Sequence, residues 1–244
     1  MDRRFNILGV DFDCLDRHQA QQAIAALVDH GGVHQVITAN AEMVMASRKD
    51  ARLQAVFRQA KLVVADGVGV ILASRMLGRP LPQRVAGVDL TAELLRCAAK
   101  QGWPVYLFGA RPEVMAALER RCRALYPDLR LAGTQHGFVT ERSQVAQDIA
   151  RSRARLLLVG LGAPAQEHFI FDHAHLWQDL VALGVGGSFD ILSAHKARAP
   201  GWMQRYGLEW LYRLLREPRR YRRQLALPAF FLLVLKTRWF KGKR

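Results

Sequence analysis

Short apolar runs rich in β-branched residues alternate along the first 198 residues with stretches whose apolar positions follow helical spacing. Five such runs lie at residues 35–38, 61–65, 105–108, 156–159 and 181–185. Nearly continuous apolar strands separated by helices are typical of parallel strands that are covered on both faces. The pattern therefore predicts an α/β domain with a doubly wound, mostly parallel, Rossmann-like sheet.

The residues that follow these predicted strands carry the candidate chemistry. In doubly wound sheets, ligands bind beyond the carboxyl ends of the strands. The polar residues, glycines and proline found there are Thr38, Asn40, Asp66, Gly67, Gly109, Gly162, Pro164, Gln166, Glu167, Gly187 and Asp190. We therefore expect the ligand contacts of this protein to come from these strand-end loops.

One of the loops resembles a nucleotide-binding motif. Residues 160–165 match a relaxed dinucleotide fingerprint, in which Gly160 and Gly162 would let the backbone approach a pyrophosphate at a helix N-terminus. The full fingerprint also requires an acid at the end of the next strand, whereas residues 185–187 read Val-Gly-Gly. Because that acid is missing, the sequence disfavours NAD and is compatible with a nucleoside diphosphate.

Two acidic motifs allow different interpretations. A carboxylate at Asp66 is either a helix cap, the commoner case for an isolated aspartate, or a functional base. Asp11 and Asp13 imitate the acid pair with which many nucleotide-sugar enzymes hold a divalent metal, but they lie in or beside the first predicted strand, away from the other motifs. We expect this pair to be structural, and we expect the protein to work without a metal or other cofactor.

The composition changes near residues 199–201. We take this point as the boundary between a core of residues 1–198 and a helical, basic appendage of residues 199–244. From Arg213 onward there are eleven Lys or Arg residues and one acid, so this segment holds ten of the fifteen net positive charges. The core is therefore only mildly basic, and the appendage is the expected site of contact with anions.

Three arginines of the appendage have a spacing that suggests a binding site. Arg213, Arg220 and Arg223 are seven and three residues apart, which places them on one helix face if the helix continues through Pro218. Planar guanidinium groups on one face suit a diphosphate. A solvated basic face is the alternative.

The end of the chain combines apolar and basic residues. Residues 225–235 form a mostly apolar stretch of eleven residues interrupted by Pro228, well short of the roughly 20 that span a bilayer. With Trp239 and Phe240 among basic residues, the stretch is typical of a segment that lies on an anionic membrane. A helix packed on the core and a basic arm on nucleic acid are the alternatives. We favour the membrane and expect no nucleic acid, because an apolar block is of little use to such an arm.

The N-terminus and the cysteines bear on the compartment. Asp2 and Asp11 stand where a signal peptide would need its apolar stretch. Cys14, Cys97 and Cys122 are odd in number and form no Cys-x-x-Cys pair, which argues against a disulfide framework and a zinc site. We expect a cytoplasmic protein that is peripheral on the inner face of the bacterial plasma membrane.

Taken together, these segments make the chain similar to the bacterial WecG/TagA/CpsF glycosyltransferase family over nearly its whole length. The segments that carry the resemblance are residues 38–42, 65–69, 84–90, 106–109, 160–167, 184–190, 198–200 and 209–223. The chain departs from the family pattern at Ala165, where the family usually has Lys, and at His195, where Gly is common. The first departure removes a lysine that would otherwise contact a phosphate.

The resemblance implies a reaction in cell-envelope or exopolysaccharide biosynthesis. A hexose-type sugar, such as N-acetylmannosamine or its uronic acid, would pass with inversion from a UDP-sugar to a polyprenyl-diphosphate-linked sugar. Asp66 would take the proton of the acceptor hydroxyl, and Thr38 and Asn40 would hold the acceptor or orient the base. The implied substrate contacts further include Gly67, Gly109, Gly162, Pro164, Gln166, Glu167, Gly187, Asp190 and Arg198. The groups that would neutralise the departing UDP in place of a metal are Arg213, Arg220 and Arg223.

Two other classes of protein stay open at this point. A nucleotide-dependent oxidoreductase would use the glycine turns, but it gives the basic helix no role. A non-catalytic membrane or nucleic-acid adaptor would use the tail, but it leaves Asp66 without a task. The identities of the two sugars and the oligomeric state, with a homo-oligomer as one candidate, are left open by the sequence.

Overall fold

The computed structural model describes residues 4–218, 221 and 225–241. Its strands are β1 (Arg4–Ile7), β2 (Val10–Asp13), β3 (Val33–Ala39), β4 (Leu62–Ala65), β5 (Val105–Gly109), β6 (Leu131–Gln135), β7 (Leu156–Gly160) and β8 (Leu180–Gly184). Its first helices are α1 (Arg17–His30), α2 (Ala41–Ser47), α3 (Ala51–Gln59), α4 (Val68–Met76), α5 (Gly87–Gln101) and α6 (Pro112–Leu125). The later helices are α7 (Arg142–Ser152), α8 (Ala165–His173), α9 (Ser188–Leu192), α10 (Gly201–Arg205), α11 (Glu209–Arg216) and α12 (Ala226–Lys241), with a 3₁₀ turn at Ala174–Leu176.

Six strands form a parallel sheet in the order β4-β3-β8-β7-β5-β6. The register places Ala39 beside Ala65 and Val159 beside Gly184, so the carboxyl ends of these strands lie along one edge. The predicted α/β fold with a mostly parallel sheet is confirmed. All five apolar runs are strands of this sheet, and the order of the strands brings the loops after β3, β4 and β8 together.

Helices cover both faces of the sheet because its strands are apolar on both sides. One face packs against α1, α5, α6 and α9 through alternate residues such as Val36, Leu107 and Leu158. The intervening residues face the other way: Phe108 and Val159 pack with α7 and α8, and Ile37 and Val63 pack with α2, α3 and α4. The sheet is therefore the central layer of a three-layer molecule.

The hairpin of β1 and β2 completes the side of the core nearest β4. Its acidic residues serve this packing: Asp13 accepts hydrogen bonds from Arg4 Nε at 3.0 Å and from the Val63 backbone N–H at 2.8 Å. Asp11 accepts a hydrogen bond from Asn6 Nδ2 at 2.7 Å. Both carboxylates thus have partners that hold the hairpin together or tie it to β4, which agrees with the structural role expected for this acid pair.

The last described helix, α12, packs on this part of the core. Phe230 and Val234 are fully buried beside α2 and α4, and Leu227 and Phe231 pack against the same cluster. Pro228 lies in the first turn of the helix, where the missing N–H costs nothing, so the helix continues past it. One face of the tail therefore forms part of the core, as in the alternative of a packed helix. Within the ranges described, no helix has the length and apolar character needed to span a membrane.

Candidate active site

Asp66 lies directly after β4, at the carboxyl edge of the sheet. Gly67 follows with a φ of 99° and is the N-cap residue of α4, so Asp66 does not cap its own helix. Its Oδ2 instead accepts a hydrogen bond of 3.3 Å from the backbone N–H of Gly87, the first residue of α5. The carboxylate thus sits at the start of a distant helix, where the backbone favours negative charge.

The positive charges around Asp66 oppose the effect of its burial on its pKa. Burial raises the pKa of the Asp66 carboxyl above its usual range, and Glu209 adds to this. The positive charge of Arg213 is the strongest influence that lowers this pKa, followed by Arg84 and the Gly87 N–H. A partly buried carboxylate with cations nearby can stay ionised and still be a stronger base than an exposed aspartate.

Two hydroxyl groups approach the same point as Asp66. A Cβ atom built on Gly87 would lie 3.4 Å from Thr38 Oγ1, 3.5 Å from Asp66 Oδ2 and 3.8 Å from Ser188 Oγ. Thr38 also donates to the Gly184 carbonyl at 3.4 Å, and Ser188 donates to the Val185 carbonyl at 2.7 Å. The ends of β3, β4 and β8 therefore contribute three side-chain oxygens to one small region.

Asn40 belongs to the same edge but has a local partner. Its Oδ1 accepts a hydrogen bond of 2.9 Å from the Met43 backbone N–H, which caps α2. Its Cβ lies 3.6 Å from the position that a Cβ on Gly67 would occupy. The cap fixes the Asn40 side chain next to the loop that carries Asp66.

Gln166 and Glu167 lie beneath the glycine loops and not on their surface. Gln166 Oε1 accepts hydrogen bonds from the backbone N–H groups of Gly162 at 3.1 Å and Gly186 at 2.9 Å, and its Nε2 donates to Glu167 Oε1 at 2.8 Å. Burial raises the pKa of Glu167 to about 7, opposed by the Gln166 hydrogen bond. The pair therefore holds the loops after β7 and β8 together from below.

The remaining loop residues form the neighbouring part of the edge. Gly109 ends β5 with a φ of 130°, and a Cβ there would come within 2.5 Å of the Gly160 backbone. Pro164 follows a cis peptide bond and precedes α8, and Gly187 is the N-cap residue of α9. Only glycine fits the close approach of the β5 and β7 ends, so this part of the edge is lined by backbone.

Arg198 and Asp190 are engaged with other protein groups. Arg198 makes a two-pronged contact with Asp89, at 2.5 and 2.9 Å, and its Nε lies 3.3 Å from Glu209 Oε1. Asp190 lies 3.4 Å from Lys196 Nζ. The substrate contacts expected from Arg198 and Asp190 stay predictions, and the structure gives both side chains a role in ion pairs.

Of the three arginines on the proposed helix face, the structure describes Arg213. It lies in α11, and its charge acts on Asp66. Arg220 and Arg223 lie outside the described residues. Helix α11 ends at Arg216, because the residue before Pro218 is kept out of the helical conformation. The condition that one helix continues through Pro218 is therefore not met.

Sequence reasoning gave no role to three residues near Asp66, namely Arg84, Ser188 and Glu209. All three lie in segments that carry the family resemblance, but their pairing across the fold leaves no periodic signal in the sequence. Within the portion of the chain that is described, no group of three or more His, Cys, Asp or Glu residues is placed to hold a metal ion.

Comparison with known proteins gives a family and two relatives. The model of the glycosyl transferase WecG/TagA/CpsF family matches residues 5–244. The chain is 38% identical over 224 residues, 92% of its length and 84% of the relative, to the N-acetylglucosaminyldiphosphoundecaprenol N-acetyl-β-D-mannosaminyltransferase of Bacillus subtilis (strain 168). It is 39% identical over 201 residues, 82% of its length and 78% of the relative, to the enzyme of the same name from Bacillus spizizenii (strain W23).

Proposed function

This chain belongs to the glycosyl transferase WecG/TagA/CpsF family, and we propose that it transfers N-acetylmannosamine from a UDP-sugar to a polyprenyl-diphosphate-linked N-acetylglucosamine. Both relatives are named for the transfer of an N-acetyl-β-D-mannosaminyl group to N-acetylglucosaminyldiphosphoundecaprenol. An oxidoreductase or a non-catalytic adaptor is not favoured by these matches. The Asp66 carboxylate, half-buried at the sheet edge beside the Gly87 N–H and under the influence of Arg213 and Arg84, carries the proposal.

In the proposed reaction an acceptor hydroxyl attacks the anomeric carbon of the donor sugar. The new C–O bond forms as the bond between that carbon and the diphosphate oxygen breaks, and Asp66 takes the hydroxyl proton. A single displacement inverts the anomeric centre, so an α-linked UDP-sugar gives the β product. Thr38, which converges with Asp66 near Gly87, would orient the attacking hydroxyl or the base.

The departing UDP carries away the electron pair of the broken bond. We assign its neutralisation to Arg213, with Arg220 and Arg223 as further candidates, because a guanidinium fork matches diphosphate oxygens. The glycine loops after β5, β7 and β8 would bring backbone N–H groups toward the nucleotide. With these charges we propose that the reaction needs no metal.

We propose that the transfer takes place at the membrane surface, because the acceptor is a lipid. The outward face of α12 exposes Leu232, Leu235 and Trp239, and basic residues stand between and after them in the sequence. Such a face suits the interface of an anionic bilayer. The protein would thus be peripheral on the side of the membrane where UDP-sugars are found, the cytoplasmic side.

A substrate panel tests the proposed function. The purified chain is incubated with a short-chain polyprenyl-diphosphate N-acetylglucosamine and a series of UDP-sugars. The products are identified by mass spectrometry, and the anomeric configuration is read from the one-bond C1–H1 NMR coupling. We expect one β-linked disaccharide from UDP-N-acetylmannosamine. Transfer of another sugar at an equal rate, an α-linked product, or release of UDP without transfer would contradict the proposal.

A further inference from the structure

Glu209, at the start of α11, connects this helix to two loops of the α/β core. Its Oε2 lies 2.7 Å from Arg84 Nη2, in the segment that leads into α5. Its Oε1 lies 3.3 Å from Arg198 Nε, in the segment that follows α9. The Glu209 side chain is only 13% exposed, so its carboxylate is held between two guanidinium groups with little competition from water.

The two arginines are themselves fixed. Arg198 donates two hydrogen bonds to the carboxylate of Asp89, in the first turn of α5. Arg17 Nη1 lies 3.6 Å from Oδ2 of the same carboxylate. The side chains of Arg84 and Arg198 are 21% and 25% exposed. Glu209 is thus attached to a network that is anchored on α5, the helix whose first N–H donates to Asp66.

The network sets where α11 presents Arg213. Glu209 and Arg213 are four residues apart in one helix, so their side chains lie on the same face. Holding Glu209 at the first residue of α11 therefore holds the backbone from which Arg213 extends one turn later. From this position the Arg213 charge is the strongest of the influences that lower the pKa of Asp66.

We propose that Glu209 is the positioning residue of this active site: held by Arg84 and Arg198, its carboxylate docks α11 so that Arg213 faces Asp66 and the leaving diphosphate. The inference rests on the proposed function, in which Asp66 is the base and Arg213 neutralises UDP. Glu209 makes no contact with substrate in this account and acts through Arg213.

Glu209 also balances the positive charge around the base. The groups that act on Asp66 are Arg213 of α11, Arg84 and the Gly87 N–H beside α5, and Glu209 itself. The negative charge of Glu209 raises the pKa of Asp66, whereas the other three lower it. Removing the Glu209 charge therefore lowers the pKa of Asp66, and the acid limb of kcat/KM should move to lower pH.

A double-mutant cycle tests the positioning role. Glu209→Gln keeps the shape of the side chain and removes its charge, and Arg213→Ala removes the group that Glu209 is proposed to position. On the high-pH plateau we expect each single variant to lower kcat by about 10- to 100-fold, with a smaller change in the donor KM. Because Glu209 acts through Arg213, the double variant should be no slower than Arg213→Ala alone.

Two further variants separate position from charge. Glu209→Asp keeps the charge but cannot reach both arginines. Its kcat on the high-pH plateau should therefore fall, while the acid limb of its kcat/KM profile should lie at the same pH as in wild type. Glu119→Gln is the matched control, because the Glu119 carboxylate also pairs with an arginine, Arg123 at 2.6 Å, but lies on α6, outside this network. We expect the control to keep full activity and an unmoved acid limb.

The outcomes that overturn the inference differ from those that overturn the function. A plateau kcat of Glu209→Gln within about threefold of wild type, losses that multiply in the double variant, or an Arg213→Ala variant of full activity would each contradict the positioning role. An acid limb that does not move in Glu209→Gln would contradict the charge balance. Sugar transfer by the wild-type chain tests the proposed function independently of all these variants.

Discussion

Asp66 and Glu167 are both carboxyl groups whose pKa is raised by burial, but their surroundings give them different tasks. Asp66 has Arg213, Arg84 and a backbone N–H to favour its charged form. Glu167 is 1% exposed, its Oε1 is bonded to Gln166, and its Oε2 has no hydrogen-bond partner. The first is therefore suited to accept a proton from substrate, and the second is suited to a structural role beneath the glycine loops.

A stability measurement checks the state of Glu167. Burial raises its pKa from 4.5 to about 7, so between these values the folded protein binds a proton that the unfolded chain has lost. Folding stability should therefore fall as pH rises from about 4.5 to 7, by roughly 3 kcal/mol in total. Glu167→Gln has no proton to lose, so its free energy of unfolding should not show this fall. In denaturant unfolding, the stability of the variant minus that of wild type should therefore be larger at pH 8 than at pH 5.

The control for this experiment is Glu113→Gln, on a side chain that is 53% exposed. Its difference from wild type should be the same at both pH values. A Glu167→Gln variant whose difference from wild type is also independent of pH would show that Glu167 is ionised throughout.

At the scale of elements, α12 has one face in the core and one in solvent. Phe230 is fully buried, whereas Leu232 is 67% exposed. We expect Phe230→Ala to lower the free energy of unfolding by about 3–5 kcal/mol, because it leaves a cavity beside α2 and α4. Leu232→Ala should change it by less than about 0.5 kcal/mol. Equal and small effects in denaturant unfolding would mean that α12 does not pack on the core.

The exposed face of α12 carries the prediction of membrane contact. Deleting the tail would open the core, so substitutions on the outer face are the sharper test. The double variant Leu232→Gln, Leu235→Gln should weaken binding to vesicles of anionic phospholipid by roughly tenfold or more, because two leucines no longer enter the bilayer. Its unfolding should match that of wild type.

Leu125→Gln is the control for vesicle binding, since Leu125 is 59% exposed on α6. It should bind vesicles as wild type does. If the α12 variant also binds as wild type, or if the control loses as much, the α12 face does not contact the membrane.

Which elements could be predicted from sequence depends on where they lie in the sheet. The five inner or buried strands are runs of apolar residues, and all five were predicted. Residues 131–135 of β6 are all only partly buried at the edge of the sheet, so they carry no apolar run. The site follows the same division: Asp66 and the glycines stand next to predicted strands, whereas Arg84 and Glu209 are 125 residues apart and are paired only by the fold.

At the scale of the whole molecule, the parallel sheet gathers residues from distant parts of the chain at one edge. Thr38, Asp66 and Ser188 come from three different strand ends, and Arg213 comes from a helix beyond the sheet. The segment from Arg213 onward carries ten of the fifteen net positive charges, and Arg213, at its start, acts on Asp66. The distribution of charge thus agrees with the proposed substrates.

We propose that the reaction is independent of metals, because arginine charge near Asp66 can take the place of a metal ion. With arginine charge at the leaving diphosphate, turnover in EDTA should stay within about twofold of the untreated rate. The measurement is the initial rate of UDP release before and after chelation, with Mg²⁺ or Mn²⁺ added back as the control. A strict requirement for either ion would contradict the role given to the arginines.

The central claim is that Asp66 is the base of sugar transfer, and Asp66→Asn tests it most directly. The amide keeps the size of the side chain but cannot take a proton. We expect turnover of UDP-N-acetylmannosamine to fall by at least about 10²-fold, with UDP affinity and melting temperature close to wild type. Asp172→Asn, a surface change on α8 beside Arg52, is the control and should keep full activity. An Asp66→Asn variant that retains activity within about tenfold of wild type would contradict the account.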